Sequence, residues 1–568
     1  MSSHHIRPSG VKLKIAGNSS GEEVENGTDE VMRPKAPVGN SMATSSSLNS
    51  IHISPRTPKS PKPPRMGLND AEEGVELSLL GEEERREALR GVEDISSKRP
   101  IGAKDKRGMV LLCVLYLIQG VPLGLALGSV PFLLKEHLSY SQLATFALAS
   151  YPYSLKLLWS PIVDSVYWPS LGRRKSWIIP MQTITGSLML YISLNSQRLL
   201  SNPSNNVVEL SITFTSLVFF SATQDIAVDD CLSYASTCQT IGLNTGFFAS
   251  FTVFLAFNSE VFAAKWGVPQ LTLGAYLKFW SIICFLVTFW LLLFKKEDKE
   301  PIHQEDMTIQ GVYRTIWTIC KLPHVQTLIV VHLVAKLGFA ANEAVTSLKM
   351  IEKGFKREDM ALVVLIDFPF QIMGGWLAAK WSRGDAPLRP WICAFFPRLF
   401  FALVATLIVY YFPKPPISTG FFLFLILHTV LSSFASTVQF VGISAFHTRI
   451  SDPLIGGTYM TLLNTFTNMG GTWPKWFVLK GVDLLSDATC VVADGGLDIN
   501  VKATECVSEH GKAMCKDING ECIAISDGYY SISALCMVLG VILLVAFIIP
   551  KARKLQALPI SVWRVKMV

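Results

Sequence analysis

Ionisable and amide side chains recur inside stretches of this chain that are otherwise built from Phe, Leu and Val. Lys156 lies in "SLKLLWSPIVDSVY", ahead of Asp164 and of the basic run "LGRRKSW" that holds Arg173 and Arg174. Lys336 and Glu343 stand seven residues apart in "HLVAKLGFAANEAV", nearly on one helical face, and Arg398 follows Pro397 in "FFPRLFF". Charged groups in apolar helices are costly, so they face protein or water rather than lipid. A guanidinium fork or a lysine ammonium in such a place suits an anionic group. Gln119 in "YLIQGVPLGLALGSVPFLL", and Asn464 and Asn468 in "SDPLIGGTYMTLLNTFTNMGGTWP", add amides. Gly457, Thr461, Asn464, Asn468 and Thr472 recur at spacings of four and three, hence on one stripe of a helix. Such a stripe is either packing glue between helices or the wall of a wet cavity. The candidate binding set is therefore Gln119, Lys156, Lys336, Arg398, Asn464 and Asn468.

A second group of charges suits gating or coupling: Asp164, Arg173, Arg174, Asp225, Asp229, Glu343 and Asp367. Asp164 beside its basic loop can lock neighbouring helices by charge pairing, or it can simply face solvent. "IDFPFQIMGGWLAAKWSRGD" repeats the pattern, with Asp367 early, Gly374 and Gly375 for close helix approach, and Lys380 with Arg383 at the end. Asp367 is one partner open to Arg398. Asp225 and Asp229 are i,i+4 neighbours in "SATQDIAVDDCLSYA" and repel when both are ionised. They either carry a proton or cap and bond the helix end. No nucleophile or metal-ligand pattern accompanies them, so neither metal nor cofactor is expected.

These residues need long membrane-spanning helices to hold them. The chain of 568 residues is 50% hydrophobic and 17% charged, with mean hydropathy +0.36, which argues against a soluble globular protein. Its apolar runs recur at spanning length, about 20 residues. About twelve spans are expected, among them 141–166, 323–345 and 456–479, in an all-α bundle of two six-helix halves. The halves cover 108–294 and 323–550, joined by a charged loop 295–322. Residues 1–107, with "SPRTPKSPKPPR", read as a disordered tail, and 551–568 form a short C-terminal tail. Lys and Arg gather on the side that bears both termini, which marks it as cytosolic. Lys135, Arg198, Lys265, Lys349, Lys353, Lys356 and Arg357 are exceptions to that rule. Loop 480–525 then lies on the far side, where Cys490, Cys506, Cys515 and Cys522 can form two disulfides in any of three pairings. A nucleic-acid partner is not expected; a bilayer is, and a homo-oligomer is open.

The strings "YLIQGVPLGL", "SLKLLWSPIVDSVY", "GRRKSW", "ATQDIAVD", "YASTCQTIG" and "SDPLIGGTYMTLLNTFTNMGGTWP" resemble the acetyl-coenzyme A transporter family of the endoplasmic reticulum, of the major-facilitator type. The resemblance runs in order from about residue 108 to 550 and is distantly shared with bacterial muropeptide permeases. It implies import of cytosolic acetyl-CoA across the endoplasmic reticulum membrane by alternating access, with CoA as a candidate counter-substrate, to supply lumenal acetylation. Within the shared motifs fall Gln119, Asp164, Arg173, Arg174, Gln224, Asp225, Asp229, Asn464 and Asn468. Two rivals stand beside it: a membrane acyltransferase using His332, His428 or a Cys, and a carrier of another nucleotide-linked or glycopeptide anion.

Overall fold

Apolar segments in a bilayer fold as helices because no water is present to bond their backbone amides. The computed structural model describes residues 103–564 apart from 169, 229–234, 295–308, 383–385, 452–455, 493–497, 500–505, 507, 508 and 519. Nearly all of the expected tail 1–107, the first part of the 295–322 loop, Asp229 and the side chain of Asp164 lie outside the described residues.

The first six helices are α1 (Ala103–Gly124), α2 (Tyr140–Ala147), α3 (Arg173–Ser201), α4 (Pro203–Val228), α5 (Ala235–Phe248) and α6 (Leu273–Phe294). α1 continues through a π-helical turn, Leu125–Ser129, into Val130–Lys135, and α5 does the same into Phe254–Asn258. The remainder comprises α7 (Ile309–Lys321), α8 (Pro323–Ala335), α9 (Arg357–Trp381), α10 (Leu388–Cys393, then Phe395–Tyr410), α11 (Thr419–Ile450) and α12 (Gly456–Leu484). A short α13 (Glu509–Asp517) and the final α14 (Gly528–Leu543), which runs on to Gln556, close the chain.

Nine helices among the described residues are long and apolar enough to cross a membrane. Ile309–Lys321 with Pro323–Phe339, bent by 83°, makes a tenth if taken as one span. Two of the twelve expected spans miss that measure for physical reasons. α2 is cut by 3-10 turns at Leu148–Ser150 and Lys156–Leu158 and resumes at Tyr151–Leu155 and Ser160–Ser165, each piece carrying a proline in its first turn. α12 is unbroken over 29 residues, but its Thr, Asn and Gly hold its hydropathy down. A third departure is α7, a helix where a loop was expected, with Ile319 buried.

Backbones approach closely where glycine allows it. A Cβ on Gly120 would stand 2.3 Å from the Leu243 carbonyl, and one on Gly246 2.2 Å from that of Leu117, so α1 and α5 cross almost in backbone contact. The Gly and Pro of span one, read as a bend, serve this crossing as well as the π-turn beyond it. Helices up to Phe294 pack mainly on one another, as do those from Ile309 onward; α2 against α12, and the end of α5 against α9, join the two sets.

The cores of the two sets merge extensively at one end of the bundle. One continuous cluster there includes Phe132, Leu138 and Tyr140 from the first set and Leu348, Phe355, Val482 and Tyr529 from the second. At the other end they are largely separate, Tyr116, Ile178 and Val228 in one and Val325, Tyr459 and Trp563 in the other, joined where Leu157 of the first set enters the second core and the Tyr313 hydroxyl donates to the Leu158 carbonyl at 2.6 Å. Beyond the merged end sits a three-stranded antiparallel sheet, β1 (Asp487–Val492), β2 (Asp498–Ile499) and β3 (Gly520–Ser526), in the order β2-β1-β3. The all-α expectation missed it. Cys490 is bonded to Cys515 and Cys506 to Cys522, and among the described residues the buried cluster of this unit adds only Ala488 to these cysteines. So small a core depends on cross-links.

Candidate functional site

In the first set, four elements converge on Asp225 of α4, which is fully buried. Lys156, on the 3-10 turn that breaks α2, forms an ion pair with it. Gln119 of α1 donates Nε2–H to Asp225 Oδ1 at 2.5 Å, and Gln239 of α5 donates to the same oxygen at 3.3 Å. The break in α2 matters because Lys156 leaves the helical path where a straight helix would carry it past α4. Gln119 Oε1 is buried without a hydrogen-bond partner among the described residues.

In the second set, Arg398 of α10 is the hub. Its guanidinium pairs with Glu343, bonds Gln439 of α11, and lies 4.1 Å above the Phe339 ring. Glu343 reaches it because α8 breaks into a 3-10 turn, Leu337–Phe339, and then a π-turn, Asn342–Thr346. The expected pairing of Arg398 with Asp367 does not occur. Asp367 instead accepts from Gln371 of its own helix at 2.6 Å, and its other oxygen has no partner among the described residues. Lys336 faces Glu343, Arg398 and Lys475 of α12, and neither Lys336 nor Lys475 has an ion pair among the described residues.

The glycine pair of "NMGGTWP" now has two separate reasons. A Cβ on Gly470 would stand 2.1 Å from the His332 carbonyl, so this glycine permits the α8–α12 crossing. A Cβ on Gly471 would meet Lys336 Cδ at 3.0 Å and Nζ at 3.1 Å, so this one makes room for the ammonium. Gly470→Ala is expected to destabilise the fold by about 1–3 kcal/mol through overpacking. Gly471→Ala should leave the melting temperature of the purified protein nearly unchanged, since a lysine tip can move where a backbone cannot.

Asn464 is exposed and Asn468 half-buried on the α12 face that also carries Gly471 and Lys475. Thr472 on the same helix meets Ser154 of α2 at 2.8 Å, across the seam between the two sets. Asn464 Oδ1 lies 3.2 Å from His447 Nδ1; His447 Nε2 lies 3.0 Å from His332 Nε2, and Thr467 Oγ1 3.2 Å from His332 Nδ1. His428 bonds the Phe401 carbonyl at 3.0 Å. Both histidines named as candidate bases thus hydrogen-bond to a neighbouring helix. Arg173 and Arg174 lie half-buried in the first turn of α3, after Gly172 with φ 90°.

A cluster that sequence reasoning missed closes the merged end. Glu352 accepts from Lys135 at 3.2 Å, Lys349 at 2.8 Å and the Tyr140 hydroxyl at 2.7 Å. Lys349 also reaches Asp527 at 2.7 Å, the Ser141 amide donates to Asp483 at 2.6 Å, and Arg357 pairs with Glu136. Residues 135–141 belong to the first set and the others to the second, so most of these bonds cross between them. Burial opposes ionisation of Glu352, but Lys135 and Lys349 with the bonds from Lys349 and Tyr140 outweigh it and hold its pKa down to about 2. Burial likewise opposes the charge on Lys349, and Glu352 and Asp527 overcome it and raise its pKa. Lys135, Lys349 and Arg357 looked like exceptions to the charge rule; each is neutralised by an acid.

Comparison with known proteins completes the description. The family model described as "Acetyl-coenzyme A transporter 1" matches residues 108–307, 298–389 and 384–565. The uncharacterized membrane protein YBR220C of Saccharomyces cerevisiae is 38% identical over 563 residues, covering 82% of this chain and 99% of that protein. The putative transporter AmpG 4 of Rickettsia felis is 27% identical over 280 residues, covering 46% of this chain and 63% of that protein. Among solved structures, the nucleoside transporter NupG matches with a TM-score of 0.52 at 12% identity, covering 78% of this chain and 98% of that one. At that identity the likeness bears on the fold alone, a bundle of membrane-spanning helices.

Proposed function

The chain belongs to the acetyl-coenzyme A transporter 1 family, and on that premise we propose that it carries whole acetyl-CoA from cytosol to endoplasmic reticulum lumen by alternating access. That it is a multi-pass membrane protein of transporter type follows from the family and the fold; the substrate, the membrane and the direction are the proposal. The observation that carries it is a surplus of positive charge. Among the described residues, Lys156, Lys336, Arg398 and Lys475 are countered by Asp225 and Glu343, which leaves two ammonium groups, Lys336 and Lys475, to meet phosphate oxygens. Gln119, Asn464 and Asn468 are the amides offered to the pantetheine arm. The lightly joined cores at one end and the ion-paired closure at the other agree with a carrier that opens toward the side bearing the N-terminal end of α1. A rocking of the two sets about the α2–α12 and α5–α9 seams would exchange the ends.

The test is uptake by sealed liposomes of acetyl-CoA labelled in both the acetyl and the CoA portions. Both labels should enter in equal amounts, and Lys336→Gln or Lys475→Gln should each reduce uptake about 10–100-fold, the worth of one charged hydrogen bond. Entry of acetyl label alone would turn the assignment toward an acyltransferase. Uptake of the dual label by both variants at the wild-type rate would remove the two lysines from the site.

A further inference from the structure

A groove of about 700 Å³ lies on the outer face of the second set, away from the charges described above. Trp381, Arg389, Cys393, Pro397, Phe401 and Leu431 line it. It opens at the end of the bundle opposite the disulfide-bonded sheet, because α10 runs from Leu388 at that end to Tyr410, whose ring packs on Tyr530 beside Asp527. The groove exists because α10 is jointed: Leu388–Cys393 and Phe395–Tyr410 are separate helical pieces, with Pro390 and Pro397 flanking the break.

Its chemistry is divided along its length. The mouth carries one guanidinium, Arg389, exposed and with no ion pair among the described residues. From there the wall is apolar or aromatic down to Phe401 and Leu431. Twelve residues separate Arg389 from Phe401, about 18 Å at helical rise. Trp381 and Leu431 in its lining are 50% and 43% exposed, side chains that hydrocarbon rather than water would cover. A cation above a long apolar slot in a membrane-facing wall matches an amphipath with an anionic head and a chain.

We propose that this groove is a binding site for one anionic phospholipid of the leaflet at that end, its phosphate on Arg389 and an acyl chain along Cys393, Pro397 and Phe401 to Leu431. The head is selected by charge and the tail by shape, and an intramembrane pocket with a basic rim is a general form of lipid recognition. This reading is independent of what the central cavity carries.

Cys393 supplies a built-in reporter, since it is a free, exposed thiol within the groove. The full chain is placed in nanodiscs of phosphatidylcholine, with or without added phosphatidylglycerol. Alkylation of Cys393 by N-ethylmaleimide is followed at peptide level against the half-buried Cys320. Phosphatidylglycerol should slow Cys393 alone, and native mass spectrometry should find that lipid retained after delipidation. Arg389→Gln should reduce the preference for it about fivefold, the weight of one basic residue at a lipid surface. Leu431→Trp, which fills the apolar floor, should abolish retention. Equal protection of wild-type Cys393 in both lipid mixtures would overturn the proposal without any variant. So would undiminished retention by both variants.

Discussion

Replacing Lys156 by methionine is expected to destabilise the protein by about 3–5 kcal/mol, the cost of leaving a buried carboxylate without its counter-charge. Asp225 is wholly inaccessible, and its remaining donors among the described residues, Gln119 and Gln239, are neutral amides that share one of its oxygens. The loss should appear as a lower melting temperature of the purified protein and as reduced yield of folded material. Lys156→Met with Asp225→Asn should recover most of that stability, because the Asn side-chain oxygen still accepts from Gln119 and no charge is left buried. The double variant then separates two roles for the lysine. If Lys156 meets the substrate's phosphates, uptake stays low although the fold has returned. If it only neutralises Asp225, uptake returns with the fold. We expect the second outcome, since Asp225 already takes the charge of Lys156 and the phosphates are left to Lys336 and Lys475. An unchanged melting temperature in the single variant would mean that the ion pair does not hold in the membrane.

How far this site was legible in the sequence depends on the distance over which its parts are related. Gln119, Lys156 and Asp225 each stand out alone, since an ionisable or amide group in an apolar run needs a reason to be there. That they meet at one point is a fact of helix packing, and no spacing within a single helix encodes it. Glu343 and Arg398 stand out as well, but the sequence offered the arginine Asp367 or an anionic ligand, and set Glu343 beside Lys336. The 3-10 and π-turns of α8 decide for Glu343, and those irregularities have no signature in the residue pattern. Lys475 escaped notice because span 456–479 seemed to end just after it, where a lysine can snorkel to the interface. α12 in fact runs on to Leu484, which puts Lys475 inside the bundle. The bonds around Glu352 were hidden for another reason. Their members come from positions 135, 140, 349, 352 and 527, each ordinary at a helix end, and only the closed arrangement brings them together.

That closed arrangement yields the second large effect: Glu352→Gln is expected to unlatch the end of the bundle that carries the disulfide unit. The carboxylate takes two lysines and a tyrosine hydroxyl, and neutralising it weakens every one of those bonds at once. Hydrogen bonds to a charged group are worth about 1.5–3 kcal/mol each, so even partial loss shifts the balance between closed and open ends about tenfold or more. Leu138 is fully buried in the merged core directly beneath the latch. A Leu138→Cys reporter should therefore react with an impermeant maleimide from that side about tenfold faster when Glu352→Gln is added. The dependence on pH has a definite sign. With its pKa held at about 2 in the closed form, against an ordinary 4.5, Glu352 favours closure when ionised. Its contribution is complete above the ordinary value and drains away only as the pH falls toward the lowered one. Reporter reactivity, corrected for the thiol's own ionisation, should be flat through the neutral range and rise only in acid, and the acid rise should be missing in Glu352→Gln. A rise near neutral pH would place the opening charge elsewhere, and identical reactivity with and without Glu352→Gln would show that the hydrophobic core, not this ion cluster, holds the end shut.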